Sequence, residues 1–197
     1  MKRTRLIVAL ALASAATACS ADAEPGPLAP PQPNEHAWTT YEPVGHTFTD
    51  AMEVLSLSGT RPAVLDSVKM LPGKNRAGLK LVGVRLAGPS RGGNVQKMPW
   101  PPRDPELVAS SVGPAIGTTI APASSGVGES WELLLGIKVT QPGYLVRRGI
   151  EVDYHVGDQH YSDVIPAWLA VCTQARYSHF KRDCPPPKAS GFTPVQG

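Results

Sequence analysis

Ile150-Glu151-Val152-Asp153-Tyr154-His155-Val156-Gly157-Asp158-Gln159-His160-Tyr161-Ser162-Asp163-Val164-Ile165 is the stretch that decides the fold. Ile150, Val152, Tyr154 and Val156 alternate with Glu151, Asp153 and His155, the period of two of a strand with one face toward a core. Gly157-Asp158 follows as a two-residue turn, with glycine first as a type II′ turn requires, and the chain returns antiparallel over 159–165. Pro166 is expected to break the returning strand, and the apolar run 167–172 beyond it to be buried.

Outward from this hairpin the pattern repeats. In 131–139, Trp131, Leu133, Leu135, Ile137 and Val139 are predicted core, with Glu132 and Lys138 opposed to them. Residues 52–57 form a first short strand. Ser58-Gly59-Thr60-Arg61-Pro62 turns the chain into 63–71, where Val64, Val68 and Met70 share a face that Asp66 interrupts. Residues 78–87 read as a strand covered on both faces, with Leu79 and Leu81 on one side and Val82, Val84 and Leu86 on the other. A further short strand falls at 118–121. No helical period appears, so 38–175 is expected to be an all-β domain, a two-sheet β-sandwich of about seven strands.

The N-terminus carries an address. Lys2, Arg3 and Arg5 precede a mostly apolar run over 6–18 that ends in small residues, which fits a secretory signal peptide and is too short to span a bilayer. Ala16-Thr17-Ala18-Cys19 resembles the lipobox of bacterial lipoprotein precursors. That resemblance implies a signal peptide over 1–18, lipidation of Cys19, and a mature chain held by its lipid on the outer face of the cytoplasmic membrane. Ordinary cleavage after Ala18 or Ala23, giving a secreted protein, is the alternative. Residues 19–37, with Pro25, Pro27, Pro30, Pro31 and Pro33, read as an extended tether at about 3 Å per residue, which for 20–34 gives roughly 45 Å.

Three of the nineteen basic residues precede Cys19 and no acidic one does, which leaves sixteen basic against sixteen acidic in the mature chain. A neutral domain without a basic stripe argues against a nucleic-acid partner. Cys172 and Cys184 remain, an even number outside the cytoplasm, and are predicted to form a structural disulfide that staples a polar tail over 176–197. Their spacing is not the Cys-x-x-Cys of a redox pair.

The stretch from Val54 to Val68, an extended segment, a Ser-Gly turn and then Arg61-Pro62-Ala63-Val64-Leu65, resembles the opening of immunoglobulin-like accessory domains of secreted bacterial proteins. Both cysteines lie near the C-terminus, so the inter-sheet bridge of immunoglobulin domains is absent. A composition rich in Ala, Arg, Gly and Pro is similar to that of small envelope lipoproteins of high-GC, actinobacterial-type bacteria. These resemblances imply an immunoglobulin-like sandwich in the envelope and leave its function open.

Three places offer chemistry. With a two-residue loop, His155 falls opposite His160, and Asp153 lies two residues along on the same face. Two imidazoles and a carboxylate suit zinc or copper. A three-residue loop would pair His160 with Val156 and separate the set, and polar residues on a solvent face need no metal. The same register puts Asp163 opposite Val152 on the core face. Gly88-Pro89-Ser90-Arg91-Gly92 spells a nucleophile elbow, but Pro99, Pro101 and Pro102 exclude the helix that must follow. In the long connection 88–117, Met98 and Trp100 either anchor a partner or fold back over the open end or edge of the sandwich. Covering is the expectation, because apolar patches are more often buried than bare.

His36, His46 and His179 are scattered, and spacing places no acid–base pair, so no enzyme and no cofactor is expected. The leading expectation is a lipid-anchored extracytoplasmic binding or interaction module for an envelope protein or cell-wall component. The alternative is a copper- or zinc-binding envelope protein, and a hydrolase with a loop-assembled site comes third.

Overall fold

A computed structural model describes residues 26–29, 36–73, 77–88, 97–102, 112–122, 130–173 and 184. Among them are eleven strands and no helix: β1 (Leu28–Ala29), β2 (His36–Tyr41), β3 (Thr47–Leu57), β4 (Ala63–Pro72), β5 (Leu79–Ala87), β6 (Lys97–Pro99), β7 (Val112–Pro114), β8 (Thr119–Ile120), β9 (Trp131–Val139), β10 (Tyr144–Val156) and β11 (Gln159–Cys172). The count exceeds the expected seven because β1, β6, β7 and β8 are pieces of two or three residues that pair along edges. The remaining seven are long.

One sheet has the order β1-β3-β9-β5-β7, with β6 also paired to β3, and the other has the order β2-β11-β10-β4-β8. Lettering the seven long strands A to G in chain order, the sheets read B-E-D and A-G-F-C. That is the immunoglobulin arrangement with its first strand moved across to the G edge. The move is visible in the pairing, since β2 runs parallel to β11 while β1 stays antiparallel beside β3.

The core lies between the sheets and is set by strand phase. β9 is regular, so Leu133, Leu135, Ile137 and Val139 are all buried while Lys138 is exposed, and Trp131 packs half-buried at its end. Glu132, expected on the solvent side, is buried. Four other strands change phase at bulges, where an extra residue turns the following side chains to the opposite face. In β4 the shift falls where Asp153 pairs with Ser67 and Tyr154 with Leu65. Ala63 and Leu65 therefore point inward before it, and Val68 and Met70 after it. The predicted face of Val64, Val68 and Met70 is corrected accordingly, and Asp66, the inserted residue, is exposed and interrupts nothing.

β5 slips between Leu81 and Gly83, which puts Leu79, Leu81, Val84 and Leu86 on one core face and leaves Val82 40% exposed. The expected split of these residues over two faces does not occur. Pro166 does not break its strand either: β11 is continuous, and the proline pairs with Gly149 where the ladder shifts. A bulge is where a sheet tolerates a residue without an N–H. Gly149 is required there, because a Cβ would stand 2.5 Å from the Ile165 carbonyl oxygen.

The domain also begins earlier than residue 38. Leu28, read as tether, is fully buried in the core, and Leu28 and Ala29 pair with Leu57 and Ser56. Gly26 N–H donates to Asp163 Oδ1 (3.0 Å), and Leu28 N–H donates to the Tyr154 hydroxyl (3.0 Å), which itself donates to Asp163 Oδ2 (2.6 Å). Asp163 thus satisfies the N-terminal segment from the rim of the core. At the other end of β11, Cys172 and Cys184 form the predicted disulfide, with Cα atoms 5.8 Å apart.

Candidate functional site

The two sheets differ in what covers them. On the outer face of the first, Ala51, Ala87, Leu134 and Met98 form a second buried cluster, with Val112 packed against it. Thr49 Oγ1 donates to Pro99 O (2.8 Å) and holds the crossing segment down. Trp100 lies half-buried on Gly83 and Gly136, which face each other across β5 and β9. A Cβ on Gly136 would fall 2.5 Å from Trp100 Cδ2 and Cε2, and one on Gly83 would fall 2.6 Å from Cζ2. The segment therefore folds back as expected: Met98 lies in β6 along the edge of β3, and the Trp100 ring reaches beyond that edge over the sheet face.

The outer face of the second sheet carries polar chemistry instead. Asp153 accepts from Ser67 Oγ (2.6 Å), Lys69 Nζ (2.8 Å) and Ser162 Oγ (2.7 Å), and Lys69 also reaches Glu151 (2.7 Å). Lys69 and the two serines hold the Asp153 carboxyl down to about 2, and the two carboxylates hold the Lys69 ammonium up. Asp153 is fully engaged here.

Beyond it lies the hairpin tip. The loop has two residues, Gly157 takes φ +61°, and His155 pairs with His160 as read from the sequence. Their ring centroids are 5.3 Å apart. The carboxylate that meets them is Asp66, not Asp153. His155 Nδ1 stands 2.9 Å from Asp66 Oδ1, and His160 Nδ1 stands 3.5 Å from Oδ2. The bulge in β4 explains the exchange, because the inserted residue faces outward beside β10. One ligand atom from each of Asp66, His155 and His160 can be drawn within 4.8 Å of the others. The side chain of His160 is 76% exposed, that of Asp66 36% and that of His155 30%. Two imidazoles and a carboxylate with open positions form a donor set for a divalent transition metal.

Two further charged clusters were not read from the sequence. Arg147 is buried between the sheets, with Nη1 2.6 Å from Asp50 Oδ2, Nη2 bonded to Glu53 and Nε donating to Ala167 O (3.1 Å). Burial pushes the Asp50 carboxyl upward against the opposing pull of the Arg147 guanidinium. Glu42, also buried, accepts from Lys97 Nζ (2.5 Å) and Thr40 Oγ1 (3.1 Å) and bonds His46 through its second oxygen. This cluster ties β6 to the end of β2. For Asp50 and Glu53 the available signal was acidic residues inside a core strand, which a regular period of two cannot place.

Cys19 and the serine of the elbow spelling, Ser90, lie outside the described residues. The chain matches no protein-family model. No curated protein matches it in sequence.

Proposed function

We propose that this chain is a lipid-anchored extracytoplasmic binding module of the bacterial envelope, anchored through Cys19, and that it binds with the outer face of the β2-β11-β10-β4 sheet. The observation that carries this reading is the asymmetry of the two outer faces. One is covered by Met98 and Trp100, and the other presents Asp66, Lys69, Asp153, His155, His160 and Ser162 on strands held by the core. Polar groups on rigid, paired strands are already positioned for a ligand. The leader pattern and the Cys172–Cys184 disulfide support an oxidising location.

The anchor lies only a few residues before a fixed point of the domain. Gly26 is fixed at Asp163, so the seven residues from Cys19 to Gly26 reach at most about 25 Å. The lipid therefore sets how far the domain stands from the bilayer, and the span is shorter than the whole proline-rich stretch would give. Fractionation of cells expressing the wild-type chain and Cys19→Ser tests the anchor: release of the variant from the membrane fraction is expected, and unchanged retention refutes it. Photo-cross-linkers at Val164, on the open face, and at Lys138, on the covered one, test the surface. Position-specific products from 164 alone are expected, and equal yields from both positions refute the assignment.

A further inference from the structure

The hairpin tip can be tested against metal geometry. A tetrahedral ion with bonds of about 2.0 Å holds its ligand atoms about 3.3 Å apart. The Asp66–His155 separations of 2.9 and 3.1 Å, to its two oxygens, and the Asp66–His160 separation of 3.5 Å bracket that value, so both imidazoles converge on one carboxylate. The imidazoles are carried on facing positions of a hairpin closed by two residues, so their separation is set by the ladder and not by loop conformation. Asp66 is brought in from a third position in the chain by the bulge of the neighbouring strand. Within the same face, Asp153 is excluded as a ligand because Lys69, Ser67 and Ser162 already occupy its oxygens.

We infer that Asp66, His155 and His160 form a binding site for one divalent transition-metal ion, zinc or copper, with at least one coordination position open. Imidazole nitrogen with a single carboxylate suits both ions, and copper(II) binds such a set more tightly in the general order of divalent affinities. Three protein ligands with the remaining position left to water or a partner is the pattern of an exchangeable site, whereas structural zinc sites are closed by four. The high exposure of His160 agrees with exchange. This site names an ion for the open face and rests on the reading of that face as a binding surface.

The test uses the untagged chain carrying Cys19→Ser, so that the Cys19 thiol does not compete, titrated by calorimetry with zinc chloride and separately with copper sulfate. One ion per chain is expected. His155→Ala, His160→Ala and Asp66→Ala should each weaken binding at least tenfold, and Asp153→Asn should leave it within twofold. Far-UV circular dichroism of each variant reports whether the sandwich persists. A copper complex should also show nitrogen couplings from two imidazoles by electron paramagnetic resonance. Three results overturn the site: no binding by the wild-type ligand set, binding that survives loss of both histidines, or binding lost in Asp153→Asn while Asp66→Ala keeps it. Failure of metal binding with a cross-link still obtained from position 164 would reject the ion and keep the face.

Discussion

Placing an alanine at Gly136 should destabilise the wild-type protein and stabilise one that lacks Trp100. Neither Gly136 nor Gly83 has a positive φ, so the backbone accepts a Cβ at either position. What forbids it is the indole, since the new carbon at Gly136 would sit 2.5 Å from two ring atoms and 2.8 Å from a third. Forcing a methyl into such a contact costs about 1–3 kcal/mol, against which alanine in a strand recovers about 0.5–1 kcal/mol over glycine. The net cost of Gly136→Ala alone is then about 1–2 kcal/mol. In a Trp100→Ala background the clash is gone and the strand term alone remains, a gain of about 0.5–1 kcal/mol.

Trp100→Ala itself should cost about 2 kcal/mol, below the usual 3–5 for a fully buried tryptophan because this ring is half-buried. The coupling between the two sites is therefore about 2 kcal/mol, well above the limit of additivity. Equilibrium urea unfolding followed by far-UV circular dichroism, with the disulfide intact, reads all four corners of the cycle. For a domain of this size the single glycine change should lower the melting temperature by about 3–6 °C in the wild type and raise it by about 2 °C without Trp100. The same effect in both backgrounds would refute the placement of the indole on the glycine pair. It would also return Trp100 to the surface as an anchor for a partner.

Two other consequences concern the core. Leu135→Ala should cost about 2–5 kcal/mol through lost burial and the cavity left behind, while Lys138→Ala, three residues on and exposed, should change stability by less than about 0.5 kcal/mol; similar small effects in urea melts would mean that β9 is not buried as described. The upward shift of Asp50 fixes the sign of a pH effect: its stabilising contribution is complete below the ordinary aspartate range near 4 and is lost as pH rises toward the raised folded value. Urea melts from pH 4 upward should therefore show a falling component that Asp50→Asn removes, and an identical slope in that variant would show that Asp50 is not its source.

What the sequence made legible depended on whether each strand kept its period. β9 is regular, and its inward residues were read correctly, with Trp131 half-buried against the core at its end. The β10–β11 turn was legible because glycine followed by aspartate fixes a two-residue loop, and with it the facing of His155 and His160. β4 and β5 were misread because one inserted residue in each reverses every later side chain, and neither Asp66 nor Val82 announces itself as an insertion. Choosing Asp153 in place of Asp66 followed directly from that error, since a strictly alternating β4 keeps Asp66 on the core face. Leu28 was hidden by its proline-rich neighbours, whose composition describes a tether and cannot show a two-residue pairing. The glycines were visible in the sequence, and a pair of them inside apolar strands signals a close approach. The ring that approaches them comes from a connection whose path periodicity does not encode.

The bulges link the buried charge to the exposed site through one strand. In β3 the ladder passes from Asp50 opposite Leu135 to Glu53 opposite Leu133, so two acids three apart both turn inward, where a regular strand would have separated them. They meet Arg147, which β10 delivers from the other sheet just before its own phase change at Gly149. Removing one member of such a set strands a buried charge and typically costs about 3–5 kcal/mol, even where the whole set adds little over apolar packing. Its effect is thus to forbid sliding of β10 against β3, because any displacement unpairs a buried ion. The same strand carries His155 one residue before its end, eight residues beyond Arg147 and tied across the ladder to β4, where the second kind of bulge turns Asp66 outward. One slip imports carboxylates to lock the sheets together and the other exports a carboxylate to the histidines. The half-buried imidazole at His155 consequently sits on a strand whose register is fixed by charges buried far from it, which is how a small sandwich holds ligand groups in place without enclosing them.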